Sequence, residues 1–465
     1  MNSLSRQIAK FSLNLKYEDL PENVITEVKR FLYDSIGCAY GGFKTHDVKV
    51  IRKIYADMGG KAEATAIGSG EKMPAFNATF LNSLMIRALD FNDIYWKQDP
   101  SHPSDLIPAA LAVGEREGKS AKDVITAIVL AYEFECRLCE FAVPGIRERK
   151  WHHASLTQFV SPIVAGYLLD LNEDQMVNAI GISGCHNFTP GAVTAGKLTM
   201  MKNTVDPLAA QSGVMAALMA KEGYSGTEEI FEGKEGFMQV FGADWDREKL
   251  VGGLGDHFLP AQAGKILDCS MKAFPTEALT HTHISATIKV VTEHDIKPED
   301  IDTVTVTTIA RAVDILFDPT KYKPASRETA DHSLPYCIAA AIVDRKITTD
   351  QFNEERIKDP KIMDVINKIK GEASVEFEKN FPGKQQSKVT IKLKNGQTHS
   401  AQLDYPKGDP REPMTDEDLQ NKFVGLSSHL LSEQKQKQIR EAIWDLESFK
   451  TINDFMKILK ADKHA

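Results

Sequence analysis

The sequence predicts a mainly α fold, with a large all-helical domain followed by a smaller α+β domain. Three observations predict it. Helical periodicity runs almost unbroken to about residue 260, alternating β-branched runs first appear after about residue 265, and helical periodicity returns from Thr415. The expected divisions are 1–264, 265–405 and 406–465, the last a set of helices returning to the helical domain.

In the first half, Asn23 to Ala39 sets Val24, Ile25, Val28, Phe31, Leu32 and Ile36 on one stripe, and Gly41 and Gly42 follow as residues able to stop a helix. Ala75 to Leu89, Leu106 to Gly114, Ala121 to Cys139, Leu156 to Leu169, Asp174 to Ile182 and Pro207 to Lys221 repeat the style. Pro207 suits a first helical turn, and Ala209, Ala210, Gly213, Ala216, Ala217 and Ala220 let neighbouring helices approach closely.

Beyond residue 265 the pattern changes. Thr303 to Thr308 alternates Val304 and Val306 with threonines, and Val375 and Phe377 alternate with acids. Val389, Ile391 and Leu393 run into Asn395-Gly396, the strongest short hairpin signal. These segments predict strands. Helical stretches at about 279–294 and 328–344 should cover one face of the sheet. Tyr405 to Pro413, with three prolines and a glycine, reads as a boundary, and Leu419 to Leu431 and Gln434 to Leu446 as helices beyond it.

The chain has 465 residues, ample for a large core, and 42% hydrophobic and 26% charged residues are ordinary globular values. No window approaches the roughly 20 apolar residues of a membrane-spanning helix. The opening Met-Asn-Ser-Leu-Ser lacks a basic start followed by an apolar run, so no signal or transit peptide is expected and the cytoplasm is the expected compartment. A net charge of -9 with mixed signs argues against nucleic acid as a partner. No GxGxxG or GxxxxGK[ST] is present, which argues against a nucleotide cofactor. The six cysteines are unevenly spaced and form no disulfide framework. Cys136 and Cys139 make a CxxC one helical turn apart, with no obvious third partner at ligand spacing. Core packing is favoured there over a cluster.

Ionisable residues concentrate where helical runs break, where a scaffold presents them for function. Five places stand out. Leu89 to Trp96 with Ser101 to Asp105 offers acids and His102, either as acid/base groups or as helix caps, Ser104 and Asp105 being good N-cap types. Trp151-His152-His153 lacks the i, i+4 spacing of a helical zinc pair, so acid/base work or carboxylate binding is favoured over a metal. The bland alternative is one solvated and one capping histidine. Lys197 to Lys202 presents cations near methionines, and Lys202 has the more apolar setting. Lys272, in Met271-Lys272-Ala273-Phe274-Pro275, is a better candidate than His281 and His283, which are two apart and face differently on a helix. In Ser326 to Tyr336, three consecutive residues Asp331, His332 and Ser333 cannot converge as a nucleophilic triad. Asp331 and His332 are expected to organise a helix start and a domain interface.

Together these segments resemble the MmgE/PrpD family, whose members include 2-methylcitrate dehydratase, cis-aconitate decarboxylase and iminodisuccinate epimerase. The resemblance spans essentially the whole chain. It is carried by Asp90-Phe91-Asn92-Asp93, His102-Pro103-Ser104, Lys202-Asn203 with Ala209-Ala210, Lys272-Ala273-Phe274-Pro275, and Arg327 to Tyr336. It implies a large helical domain with a smaller α+β lid, an active site in the cleft of the two, a homodimer, and neither metal nor cofactor. The implied functional positions are Asp90, His102, His152, Lys202, Lys272 and, with a gap in the match, Tyr322.

The implied activity is cofactor-independent dehydration of a citrate-type tricarboxylate, 2-methylcitrate to 2-methyl-cis-aconitate in propionate catabolism, with citrate as a second substrate. Decarboxylation, epimerisation and non-catalytic binding are the alternatives. Ile94 replaces a threonine of the decarboxylase-type site, and Arg-Glu-Thr-Ala-Asp-His-Ser-Leu-Pro-Tyr looks like the form in dehydratases. On this reading Lys202 and Lys272 hold carboxylates, and Asp90 and His102 share proton abstraction and leaving-group protonation in an undecided order. His152 and Tyr322 orient the substrate or assist proton transfer.

Overall fold

The computed structural model describes residues 2–195, 198–242, 244–254 and 264–463. The chain divides into two compact units. The first comprises Met1–Ala88, Asn92–Cys269 and Thr415–Ala465, and the second comprises Leu89–Phe91 and Ser270–Met414.

The first unit is built from helices, including Glu22–Gly42, Ala75–Arg87, Ile107–Glu117, Ala121–Phe141, Ser161–Leu168, Glu173–Ser183 and Val205–Lys221. Val205–Lys221 packs on Ala75–Arg87, Ser161–Leu168 and Glu173–Ser183. Its buried face of Ala209, Ala210, Gly213, Ala216, Ala217 and Ala220 is why the axes can come so close. The only strands described here are two-residue ladders, Ala64–Thr65 with Lys72–Met73, Tyr95–Trp96 with Pro100–Ser101, and Ala142–Val143 with Asp244–Trp245.

Two local expectations need correcting. Gly41 and Gly42 do not stop the first long helix, which runs through Gly42. A Cβ at Gly42 would lie 2.1 Å from the Met85 carbonyl oxygen, so the glycine serves close helix approach instead. The single helix read over Leu156 to Leu169 is two, Ala154–Thr157 and Ser161–Leu168, with Pro162 in the first turn of the second.

The second unit holds a four-stranded sheet in the order Thr398–Leu403, Ser387–Leu393, Ile301–Thr308, Ile369–Ala373, antiparallel except for its last pair. Alternation does the work. Ser387, Val389, Ile391 and Leu393 face inward, and the His281–Glu293 helix packs on this strand and on Thr398–Leu403. Leu334–Asp344 packs on that helix and on Ile369–Ala373. The strand expected at Val375 and Phe377 is instead the helix Val375–Asn380. Ser374 accepts the Phe377 N–H and acids fill the first turn, so the cap outweighs two alternating apolar residues.

From Thr415 the chain belongs to the first unit, where Asp416–Ser427 packs on Glu22–Gly42. Lys422 Nζ lies 2.7 Å from Asp34 Oδ1 with both side chains buried. No described helix is long and apolar enough to cross a membrane. Removing one partner of a buried pair costs about 3–5 kcal/mol, whereas replacing both with apolar residues is often neutral. In urea denaturation Lys422→Met should therefore lower the unfolding free energy by about that amount, and adding Asp34→Leu should recover most of it.

Candidate active site

In the first unit, the segment joining Ala75–Arg87 to Ile107–Glu117 is held by its own polar side chains. Asn92 Nδ2 donates to Ser104 Oγ and to Asp105 Oδ1, each at 3.0 Å. Asp93 accepts from the Ser104 N–H at 3.0 Å and from its hydroxyl at 2.6 Å. This corrects one reading of the loop: Ser104 and Asp105 do not cap the helix through Leu106, because the Ile107–Glu117 helix has no side-chain cap. The reading fails because Ser104 Oγ is engaged with Asn92 and Asp93, and Asp105 with Asn92 and Arg87.

The result is a fixed His102. Its Nδ1 lies 2.6 Å from the Asp93 carbonyl oxygen. A carbonyl only accepts, so Nδ1 carries the proton, and when the ring is neutral Nε2 is an acceptor. Burial raises the Asp93 carboxyl to about 6, against the pull of Ser104 and Tyr132.

His152 has the opposite tautomer. Its Nδ1 accepts the Ala154 N–H at 3.2 Å, which leaves the proton on Nε2. Burial, and then the neighbouring His153, push its pKa well below the usual histidine value, so the ring is a neutral N–H donor. His153 joins the two, its ring centroid 3.9 Å from that of His152 and 5.5 Å from that of His102. Neither histidine is solvated, because the turn into Ala154–Thr157 folds both inward.

Behind these rings lies a charged layer that sequence reading missed. His153 Nε2 is 3.4 Å from Asp206 Oδ1, and Arg87 Nε lies 3.8 Å from Asp105 and 3.9 Å from Asp206. Burial works against ionisation of Asp206, but His153 and Arg87 outweigh it and hold this carboxyl below the ordinary range. Asp105 is raised, by burial first and then by Asp206. Ligand atoms of His152, His153 and Asp206 lie within 4.8 Å of one another, the spacing of a possible metal set. The donor chemistry suits one poorly, since His152 Nε2 keeps its proton and Arg87 already faces Asp206.

Lys202 is buried on the turn Met200–Asn203, where Asn203 Nδ2 donates to Asp47 at 3.0 Å. Lys197 lies outside the described residues. Cys136 and Cys139 are buried in the Ala121–Phe141 helix, and folding supplies the third thiol that spacing did not reveal: Cys269 Sγ is 3.5 Å from Cys136 Sγ. Burial pushes all three thiols up, away from the thiolate that a metal needs.

In the second unit, Met271 N–H donates to the Gly408 carbonyl at 3.0 Å, and Gly408, at φ 94°, has no room for a Cβ against Met271. This pins Lys272. Its ammonium donates to Asp90 Oδ1 at 2.7 Å, to the Asp90 carbonyl at 3.1 Å and to the Thr276 carbonyl at 3.1 Å. Asp90 is buried and left-handed, at φ 51°, a strained state for a residue other than glycine. His332 Nδ1 donates to Asp331, and its Nε2 lies 3.9 Å from Asp90 Oδ2. The helix start assigned to this pair is made by Ser333, whose hydroxyl accepts the Tyr336 N–H at 3.1 Å. Tyr322 is directed elsewhere, its hydroxyl donating to the Ile369 carbonyl at 3.0 Å. His281 Nε2 faces the Thr276 carbonyl at 3.3 Å.

Glu135, in the helix of the two cysteines, was another omission. It accepts from Thr157 at 2.7 Å and from Ser101, and burial raises it from 4.5 to about 8. A carboxyl raised on folding stabilises fully below the unfolded value and loses that contribution as pH climbs through the folded one. Denaturant midpoints of the native protein should therefore fall between pH 4.5 and pH 8. Glu135→Gln should flatten that part of the profile while leaving stability near pH 5 little changed.

A family model described as the MmgE/PrpD N-terminal domain matches residues 6–249, and one described as the MmgE/PrpD C-terminal domain matches residues 274–448. Among curated proteins, the chain is 26% identical over 477 residues to cis-aconitate decarboxylase of Homo sapiens, covering 99% of this chain and 95% of that protein. It is 24% identical over 487 residues to cis-aconitate decarboxylase of Aspergillus terreus, covering 98% and 96%. It is also 24% identical over 363 residues to 2-methylcitrate dehydratase of Salmonella typhi, covering 73% and 71%. With both domain models met in order along one chain, this protein belongs to the MmgE/PrpD family.

Proposed function

We propose that this protein is a lyase that dehydrates a citrate-type tricarboxylate by proton transfer alone, 2-methylcitrate to 2-methyl-cis-aconitate, as a cytoplasmic homodimer. The observation that carries the proposal is the opposed pair of tautomers, His102 with an acceptor Nε2 and His152 with a donor Nε2–H. Removing a proton next to a carboxylate calls for a basic nitrogen, and holding the carboxylate calls for a buried donor. His102 is the base. His152 and Lys202 bind and orient the anionic substrate.

Lys272 takes a different part from the one first assigned to it. Its three N–H bonds match three protein acceptors, so it acts through Asp90 and holds that carboxylate in place. Asp90 then accepts a hydrogen bond from the substrate hydroxyl. Tyr322, whose O–H is engaged with the Ile369 carbonyl, contributes only as an acceptor.

A second reading is decarboxylation of cis-aconitate. It is favoured by the relatives of that name, which match over nearly the whole chain, and disfavoured by Ile94 at a position where the resemblance expects threonine. Chelator-treated protein should be incubated separately with 2-methylcitrate, citrate and cis-aconitate while unsaturated-product absorbance and carbon dioxide are followed. Absorbance rising with 2-methylcitrate supports dehydration. Carbon dioxide from cis-aconitate moves the assignment to decarboxylase, and silence in every channel removes the lyase reading.

Within that assay His102→Gln should lower kcat by about 10²-fold or more, the usual share of a general base. Unchanged turnover would take His102 out of the mechanism. Lys272→Met should lower kcat with a smaller effect on KM, because it disturbs Asp90 and not a substrate contact. A change confined to KM would return Lys272 to substrate binding.

A further inference from the structure

We infer that His332, oriented by Asp331, is the proton donor to the departing hydroxyl; this rests on the lyase reading above. The geometry is that of an aligned acid. Asp331 accepts the Nδ1–H of His332 and so fixes the ring with Nε2 directed toward Asp90. Asp331 is itself held, since its backbone carbonyl accepts the Glu277 N–H at 3.0 Å. The His332 side chain is 13% exposed, against 2% for Asp331 and 4% for Asp90, so solvent or substrate reaches the ring more readily than either aspartate.

The separation of Nε2 from Asp90 Oδ2 carries the argument. At 3.9 Å it is too long for a hydrogen bond. One oxygen atom, about 2.8 Å from each, would bridge it. A tertiary hydroxyl placed there donates to Asp90 and accepts from the imidazolium Nε2–H of His332. The groups facing His332 are Asp331, Asp90 and Glu277, with Lys272 behind Asp90, so three carboxyl groups and one cation surround the ring.

The step balances without an oxidant or a further reactant. The carbon-bound proton passes to the basic nitrogen and its electron pair forms the new C=C bond. The C–O bond breaks with its pair on oxygen, which takes the proton from His332 Nε2 and leaves as water. A subsequent proton exchange with solvent resets both groups.

The test uses the full-length protein and two substrates, 2-methylcitrate and its analogue with fluorine in place of the hydroxyl. Fluoride leaves without a proton. His332→Gln should lower kcat for the hydroxyl substrate by about 10²-fold or more with little change in KM, and should retain fluoride release near the native rate. Asp331→Asn, a positioning change, should act in the same direction but less, and it serves if the glutamine variant does not fold. Equal losses on both substrates would mark a structural role, and native turnover by both variants would remove the pair from the chemistry; either overturns the inference alone. A native enzyme inactive on both substrates overturns the lyase reading and this inference together.

Discussion

The first unit depends on the burial of Arg87. A guanidinium removed from water must be compensated, and Asp105 and Asp206 do so from two other segments, the turn Pro103–Leu106 and the helix Val205–Lys221. One cation thus ties three segments whose neighbours in sequence are His102, Lys202 and the small-residue helix face. Because Arg87 draws Asp206 into the interior, His153 has a carboxylate beside it, and His153 in turn sets the distance between the other two rings. Removing the guanidinium would leave two buried carboxylates repelling one another. The histidine row is therefore a consequence of a charge arrangement that lies behind it.

That row shows how a protein can separate acid from base with a single residue type. His102 and His152 have the same side chain, and each uses Nδ1 on the backbone. One Nδ1–H donates a hydrogen bond to a carbonyl and the other Nδ1 accepts one from an amide N–H, so the two Nε2 atoms emerge with opposite capability. The cost is paid in burial, which depresses His152 and raises Asp93 and Glu135. The second unit solves a related problem with charge in place of tautomers. Lys272 holds a strained Asp90, and an aspartate holds His332 facing it.

Relatives named for decarboxylation and for dehydration both match this chain at about a quarter identity, so overall similarity does not choose between the reactions. The chemistry offers a criterion. Both reactions make a carbanion next to a carboxylate, and dehydration alone must also protonate a hydroxyl. On the proposed reading, His332 facing a fixed Asp90 is the group that meets this additional demand.

The sequence by itself determined the order of elements, because helical period, strand alternation and the Asn395-Gly396 turn are local signals that packing reinforces. It also determined membership in a family, since separated motifs keep their order along a chain whatever the fold does with them. Adjacent features legible in the sequence could still mislead at short range: two alternating residues at Val375 and Phe377 lost to a serine cap, and Gly42, which read as part of a stop, serves helix contact. What only the tertiary structure decided is the state of each group in the candidate site. Arg87 pairing with residues 18 and 119 positions away, Cys269 meeting Cys136, the tautomers of His102 and His152, and the placing of His332 beside Asp331 and Asp90 all follow from neighbours brought together by folding. A proton's position depends on the distance and direction of those neighbours, and no periodicity in a sequence encodes either.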